Sequence, residues 1–145
     1  MLPKTIRFQV QNSTGVAFGA TDTLSLTGTY LQVTTATGVL SATAQVTPLA
    51  ASSGNSLASG GFATSATIDT TNLGGGGTGT TLGIQGDFLL EASISTAKPA
   101  GNLNVFMQES PDGGTTWPAN GKGTLIGVMY CTAVGTQGNV QCSAR

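Results

Sequence analysis

Residues 82–95 read Leu-Gly-Ile-Gln-Gly-Asp-Phe-Leu-Leu-Glu-Ala-Ser-Ile-Ser, and this stretch decides the fold class. Apolar residues or glycine occupy every even position from 82 to 94, and polar residues occupy most of the odd positions. Alternation with a period of two is typical of a β-strand with one buried and one solvated face. The sequence therefore predicts one long, half-buried strand over 82–94, with Leu89 as an apolar exception on the wet face.

Similar but shorter strand patterns lie on both sides of this stretch, and no amphipathic helix of useful length is present. Segment 124–134 is apolar on both faces, which predicts a strand covered by its own domain and by another chain or loop. The many Gly, Ser and Thr residues favour strands and turns. We therefore predict an all-β fold: one β-sandwich or jelly-roll-like domain spanning 1–145, with long Gly/Ser/Thr-rich loops. The other strand segments are 4–10, 23–35, 39–47, 62–69 and 102–110.

Two segments contain too little apolar surface to offset the entropy of being ordered on their own. They are 49–61, which is rich in Ala, Ser and Gly, and 73–80, which contains four consecutive glycines. The glycines do not form a phosphate-binding loop, because no Lys follows them and no helix begins there. We expect both segments to be flexible or to become ordered in an assembly.

Composition and charge exclude several classes of function. The five Lys and Arg residues are dispersed, so no basic surface for nucleic acid is expected. With no His and two Cys, no zinc site of the usual kind can form, and neither metal nor cofactor is predicted. The sequence contains no membrane span and no signal peptide, which predicts synthesis in a cytoplasm. From Thr23 to Ile68 there is no Asp, Glu, Lys or Arg, which suits either packing against copies of the chain or a surface of hydroxyls and amides.

The six carboxylates give no indication of catalysis. Asp87 and Glu91 share one face of the predicted strand about 13 Å apart, which is wider than either glycosidase geometry. No set of nucleophile, base and orienting residue is recognisable. We predict that the protein is not an enzyme and has no catalytic residue.

One motif stands out: Ser110-Pro111-Asp112-Gly113-Gly114-Thr115-Thr116-Trp117 matches the Asp-box pattern, Ser-x-Asp-x-Gly-x-Thr-Trp. An Asp at a tight turn can accept hydrogen bonds from following backbone N–H groups, and the Trp can fold under the turn against the sheet. Sialidase propellers repeat this box and need an arginine cluster, whereas this chain has one copy and only two arginines. We therefore predict a structural turn formed by Ser110, Asp112, Gly114, Thr116 and Trp117.

The stretch 82–136, which contains this box between two strands, resembles small virion proteins of tailed bacteriophages. The resemblance implies a structural virion role. Within that class we expect a capsid decoration or cement protein, whose partners are copies of itself and the major capsid protein. The alternative is a neck, tail or fibre-attachment component in contact with neck or tail proteins. A carbohydrate-binding fibre module is a third option, disfavoured because Trp117, Tyr30 and Tyr130 are few and expected to be buried.

The two cysteines lie on either side of a predicted hairpin turn at Val134–Asn139. In that register Cys131 faces Cys142, at a separation that a disulfide can bridge. The alternative, which we favour for a protein made in a cytoplasm, is two reduced, buried thiols that act as small apolar residues. The sequence predicts only that the two sulfurs lie close together.

Overall fold

A computed structural model describes residues 4–34, 39–70, 81–84, 88–94, 100–131 and 140–144. These residues form β-strands and a single turn of 3₁₀ helix, so the fold is all-β, as the sequence predicts. The 3₁₀ turn is Ala51–Gly54. The strands are β1 (Thr5–Ser13), β2 (Leu24–Thr34), β3 (Val39–Leu49), β4 (Phe62–Thr64), β5 (Ile68–Asp69), β6 (Thr81–Ile84), β7 (Phe88–Ile94), β8 (Asn102–Glu109), β9 (Thr124–Tyr130) and β10 (Val140–Ala144).

The strands form two antiparallel sheets. The first sheet has the order β4-β1-β8-β9, and β5 also pairs with β1. The second sheet has the order β10-β7-β2-β3, and β6 also pairs with β2. In the first sheet Val10 is in register with Val105, and in the second sheet Leu26 is in register with Ala92.

Alternate residues of the central strands supply the hydrophobic core. Both sheets contribute to one cluster of buried side chains, so the period of two in the sequence corresponds to burial on one face of each sheet. A fully buried aliphatic or aromatic side chain of this kind stabilises the fold by about 1.5–3 kcal/mol. The residues at the centre of the cluster are Ile6, Phe8, Val10, Leu24, Leu26, Leu49, Leu103, Val105 and Met129.

The single long strand predicted over 82–94 is two strands, β6 and β7, and residues 85–87 between them lie outside the described part of the chain. Both strands pair antiparallel with β2. The ladder between β2 and β6 shifts register between Gln32 and Val33. A shift of this kind places an extra residue in one strand and interrupts regular pairing.

Segment 49–61 is fixed by hydrogen bonds from its own chain. The fully buried amide nitrogen of Asn12 donates to the carbonyl oxygens of Val16, Leu57 and Ala58, at 2.9, 3.1 and 3.2 Å. Gly54 approaches β2 so closely that a Cβ there would lie 2.5 Å from the backbone nitrogen of Leu24. A buried amide on β1 thus holds part of this segment within its own chain, and the ordering of the segment by other subunits stays a prediction. The segment 73–80 lies outside the described residues.

Strand β9 forms one end of the first sheet's strand order and is buried on one face only. Met129 is 2% exposed and lies in the core, and the partly buried Ile126 packs against the core. Leu125 and Tyr130 are 51% and 76% exposed. The described part of this chain therefore does not cover the second apolar face of β9, and its coverage by another chain stays a prediction.

The two cysteines belong to different sheets. Cys131 directly follows β9, is buried, and its backbone N–H donates to the carbonyl oxygen of Gly101 at 2.9 Å. Cys142 lies in β10 and is in register with Leu90 of β7. The predicted ladder in which Cys131 faces Cys142 is therefore not the pairing of the described residues, because the chain crosses from one sheet to the other after β9. The predicted turn at 134–139 lies outside those residues, and the proximity of the two sulfurs stays a prediction.

Candidate functional site

The five Asp-box residues meet in one turn of the loop 110–123, which joins β8 to β9. One carboxylate oxygen of Asp112 accepts hydrogen bonds from the backbone N–H groups of Thr115 and Thr116, at 3.1 and 2.8 Å, and from the Ser110 hydroxyl at 2.8 Å. The Gly114 N–H donates to the Ser110 hydroxyl oxygen, and the Trp117 indole N–H donates to the Gly114 carbonyl. Gly114 adopts a φ of +103°, which L-residues with a side chain rarely reach.

These hydrogen bonds stabilise the charged form of Asp112. They lower the pKa of its carboxyl from 3.8 to about 2, with the side chain of Thr116 as the largest cause and its backbone N–H as the next. Asp112 lies on the protein surface, so the carboxylate is accessible to solvent while it holds the turn. Its role in the structure is to order the loop.

Trp117 lies on the outer face of the first sheet and is half-buried, outside the core cluster. Its ring stacks on the guanidinium of Arg7, with 4.4 Å between the guanidinium carbon and the ring centroid. Arg7 also donates from Nε to the side-chain oxygen of Gln108 at 2.8 Å. Partial burial lowers the pKa of Arg7, which remains a cation because an arginine titrates far above neutral pH. The box is thus attached to β1 through this arginine.

Two fully buried glutamines of the same face hold the second half of the loop. Gln108 donates from its amide nitrogen to the carbonyl oxygens of Pro118 and Ala119, at 3.1 and 2.9 Å. Gln9 donates to the Asn120 side-chain oxygen at 2.7 Å and accepts from the Gly121 N–H at 3.2 Å. The sequence prediction did not include either glutamine, because a polar residue at an outward position of a strand indicates a solvated side chain.

Beyond the loop the same sheet face carries a row of half-buried amides beside an exposed tyrosine. Asn102 donates to the side-chain oxygen of Asn104, whose own nitrogen donates to Gln11 and Ser13 at 3.1 Å each. Across β1, β8 and β9 the register gives two rows of side chains on this face. We call this surface the amide face, and its members are Gln11, Ser13, Asn102, Asn104, Val128 and Tyr130.

The expectation that Tyr130 is buried is wrong. Its side chain is the most exposed of the large hydrophobic residues described, and β9 is the last strand in the order of the first sheet among those residues. The side chain of Tyr30 lies outside the described part. A shallow depression of about 250 Å³ lies elsewhere, at the loop, and Glu109 and Lys122 line it.

The carboxylates described are not gathered into one place. Asp22, for example, accepts a hydrogen bond from the Gly19 N–H at 2.7 Å and closes a local turn. In the part of the chain that the structure describes, no three His, Cys, Asp or Glu residues are grouped as metal ligands. The same residues include no helix with the length and apolar character of a membrane span.

Comparison with known proteins gives no relative. No protein-family model matches the chain, and neither the curated proteins nor the solved structures contain a significant match.

Proposed function

We propose that this chain is a structural protein of a tailed-bacteriophage virion, most specifically a capsid decoration protein with a β-sandwich fold. The sandwich is supported by the single hydrophobic cluster to which both sheets contribute. The virion role is supported by the resemblance of residues 82–136 to small phage proteins. The alternative location in the virion is the neck, the tail or the attachment point of a fibre.

The observation that carries the proposal is where the uncharged stretch 23–68 lies in the fold. It forms the neighbouring strands β2 and β3, the 3₁₀ turn, β4 and the start of β5. On the outer side of β2, Ser25, Thr27 and Thr29 are half-buried, and the Ser25 hydroxyl is 2.7 Å from that of Ser93. Glu91 of β7 is in register with Thr27 and borders this surface, but β2 and β3 themselves carry no ionic group. A surface of hydroxyls loses little solvation energy when another subunit covers it. The region around β2 and β3 is thus suited to lateral contact with other virion proteins.

The test is to place a charge in this region and measure how much protein the particle retains. Thr47 is exposed in β3, where the pairing with β2 shifts register. Thr47→Glu should lower the copy number per purified particle, because an unpaired carboxylate would be buried at the contact. Thr115→Glu is the matched control, since Thr115 is also exposed but lies in the Asp-box turn.

Particle images and a quantitative gel give the readout. Hundreds of wild-type copies on the shell support the decoration role, whereas a multiple of three, six or twelve copies supports the neck or tail. Absence of the protein from purified particles would refute a virion role. Equal retention of both variants would refute the contact through β2 and β3.

A further inference from the structure

We propose that the amide face binds neutral glycans. The inference goes beyond the virion role, because it concerns the strands β1, β8 and β9 of the first sheet and not the proposed contact around β2 and β3 of the second sheet. It also does not depend on where in a particle the protein is located. It rests on the chemistry of the six side chains and on how the structure fixes them.

The hydrogen-bond network of the amide face orients its amides before any ligand arrives. Asn104 uses both hydrogens of its nitrogen and accepts with its oxygen. Among the described residues, the amide nitrogen of Gln11, the amide oxygen of Asn102 and the hydroxyl of Tyr130 have no hydrogen-bond partner. The face therefore presents one oriented donor, one oriented acceptor and one group that can do both. Sugar hydroxyls both donate and accept hydrogen bonds, so a sugar-binding surface needs both acceptors and donors.

Tyr130 supplies the apolar contact. Its ring is 76% exposed and is in register with Asn102 on the neighbouring strand. A tyrosine ring combines a large apolar face with few rotatable bonds, so it can cover the C–H face of a sugar at a small entropic cost. With strands about 4.8 Å apart and rows about 6.8 Å apart, the face measures about 10 by 7 Å, enough for one or two sugar rings.

The lack of charged side chains on the amide face indicates which class of glycan it can bind. The six residues of the amide face include no Asp, Glu, Lys or Arg. Acidic polysaccharides would find no cation here to offset the desolvation of their carboxylates or sulfates. The geometry thus favours uncharged sugars.

The arrangement of polar and apolar groups favours a sugar over a second protein. Protein interfaces have an apolar centre and a polar rim. Here the amides lie on β1 and β8, while the apolar groups Val128 and Tyr130 lie on β9 at the end of the sheet. Burying the leftover donor and acceptor under an apolar partner would cost about 1–3 kcal/mol each.

The experiment is affinity electrophoresis of the purified chain in gels that contain dextran, mannan, galactan or hydroxyethyl cellulose, with alginate and dextran sulfate as acidic probes. At least one neutral polysaccharide should retard the wild type, and Tyr130→Ala should weaken that binding by about tenfold or more. Gln11→Ala should weaken it by about threefold or more, whereas Tyr130→Phe should retain most of it. Leu125→Ala is the matched control, because Leu125 is exposed on the same strand but outside the amide face, and it should bind like the wild type.

Three results would overturn the proposal: no retardation by any neutral polysaccharide, retardation by the acidic probes alone, or equal binding by wild type and Tyr130→Ala. Gel filtration with light scattering tests the competing occupant. If Tyr130→Ala abolishes a dimer of the wild type and no glycan binds, the amide face is an interface between copies. Thermal unfolding of each variant verifies the fold, and particle content remains a separate measurement that tests the virion role.

Discussion

Replacing Gln108 by Leu should release the loop from the sheet, because one buried amide connects the two. The change removes two hydrogen bonds to loop carbonyls and one from Arg7, while leaving a side chain of similar size. Each hydrogen bond contributes about 0.5–1.5 kcal/mol, and half-exposed Arg7 regains part of its loss from water. We expect the free energy of unfolding to fall by about 2–3 kcal/mol. With a urea m-value of about 2 kcal/mol/M, the midpoint should fall by ~1–1.5 M.

Two spectroscopic probes make this measurement specific to the loop. Trp117 is the only tryptophan, so its fluorescence reports the docking of the loop, while far-UV circular dichroism reports the sheets. In the wild type both probes should give one transition. Gln11→Leu is the matched control, because it makes the same chemical change on the same face outside the loop, and it should stay within about 0.5 kcal/mol of the wild type.

The outcome decides whether loop and sheets unfold together. A Gln108→Leu midpoint within about 0.3 M of the wild type by both probes would refute the reasoning. A fluorescence transition well ahead of the dichroism transition would show that the loop undocks by itself. In that case Gln108 would hold the loop locally without stabilising the whole domain.

Three further predictions concern the turns. Because folding lowers the Asp112 pKa from 3.8 to about 2, the stability contributed by its carboxylate is present above pH 3.8 and is lost as the pH falls towards 2. Asp112→Asn should therefore flatten the pH dependence of the urea midpoint in that window, and an unchanged slope would contradict the role of the carboxylate. Trp117→Ala should cost about 1.5–3 kcal/mol, less than a core aromatic, because the ring is half-buried against Arg7; a loss above about 4 kcal/mol in thermal unfolding would place it in the core. Gly101 and Gly15 both have positive φ, but a Cβ at Gly101 would lie 2.5 Å from the backbone of β1 and its turn, whereas one at Gly15 meets open space. Gly101→Ala should thus lower the melting temperature clearly more than Gly15→Ala, which costs only the backbone strain of about 1–2 kcal/mol, and equal losses would refute the close approach.

Hydrophobic alternation was sufficient to predict the all-β class. Strands β1, β2 and β8 fall close to where the sequence predicts them, because each contributes alternate apolar residues to one core. Strand β9 lies within the predicted segment 124–134 but buries only Met129. The alternation of apolar and polar residues does not show which strands pair with one another. It could not show that the stretch 82–94 forms two strands along β2, or that β9 and β10 belong to different sheets. Those features depend on register shifts and crossings between residues that are distant in the sequence.

The same limit applies to the candidate site. Gln9 and Gln11 occupy equivalent outward positions of β1, two residues apart, and nothing in the local sequence distinguishes them. The loop 110–123 buries the first completely and leaves the second half-exposed. The Asp-box indicates a tight turn, but where that turn docks depends on partners that the motif does not contain, namely Arg7 and Gln108. The amide face is the part of the outer face of the first sheet that the docked loop does not cover. The binding site that we propose is thus a consequence of where the loop ends, and a shorter or longer loop on the same strands would uncover or close it.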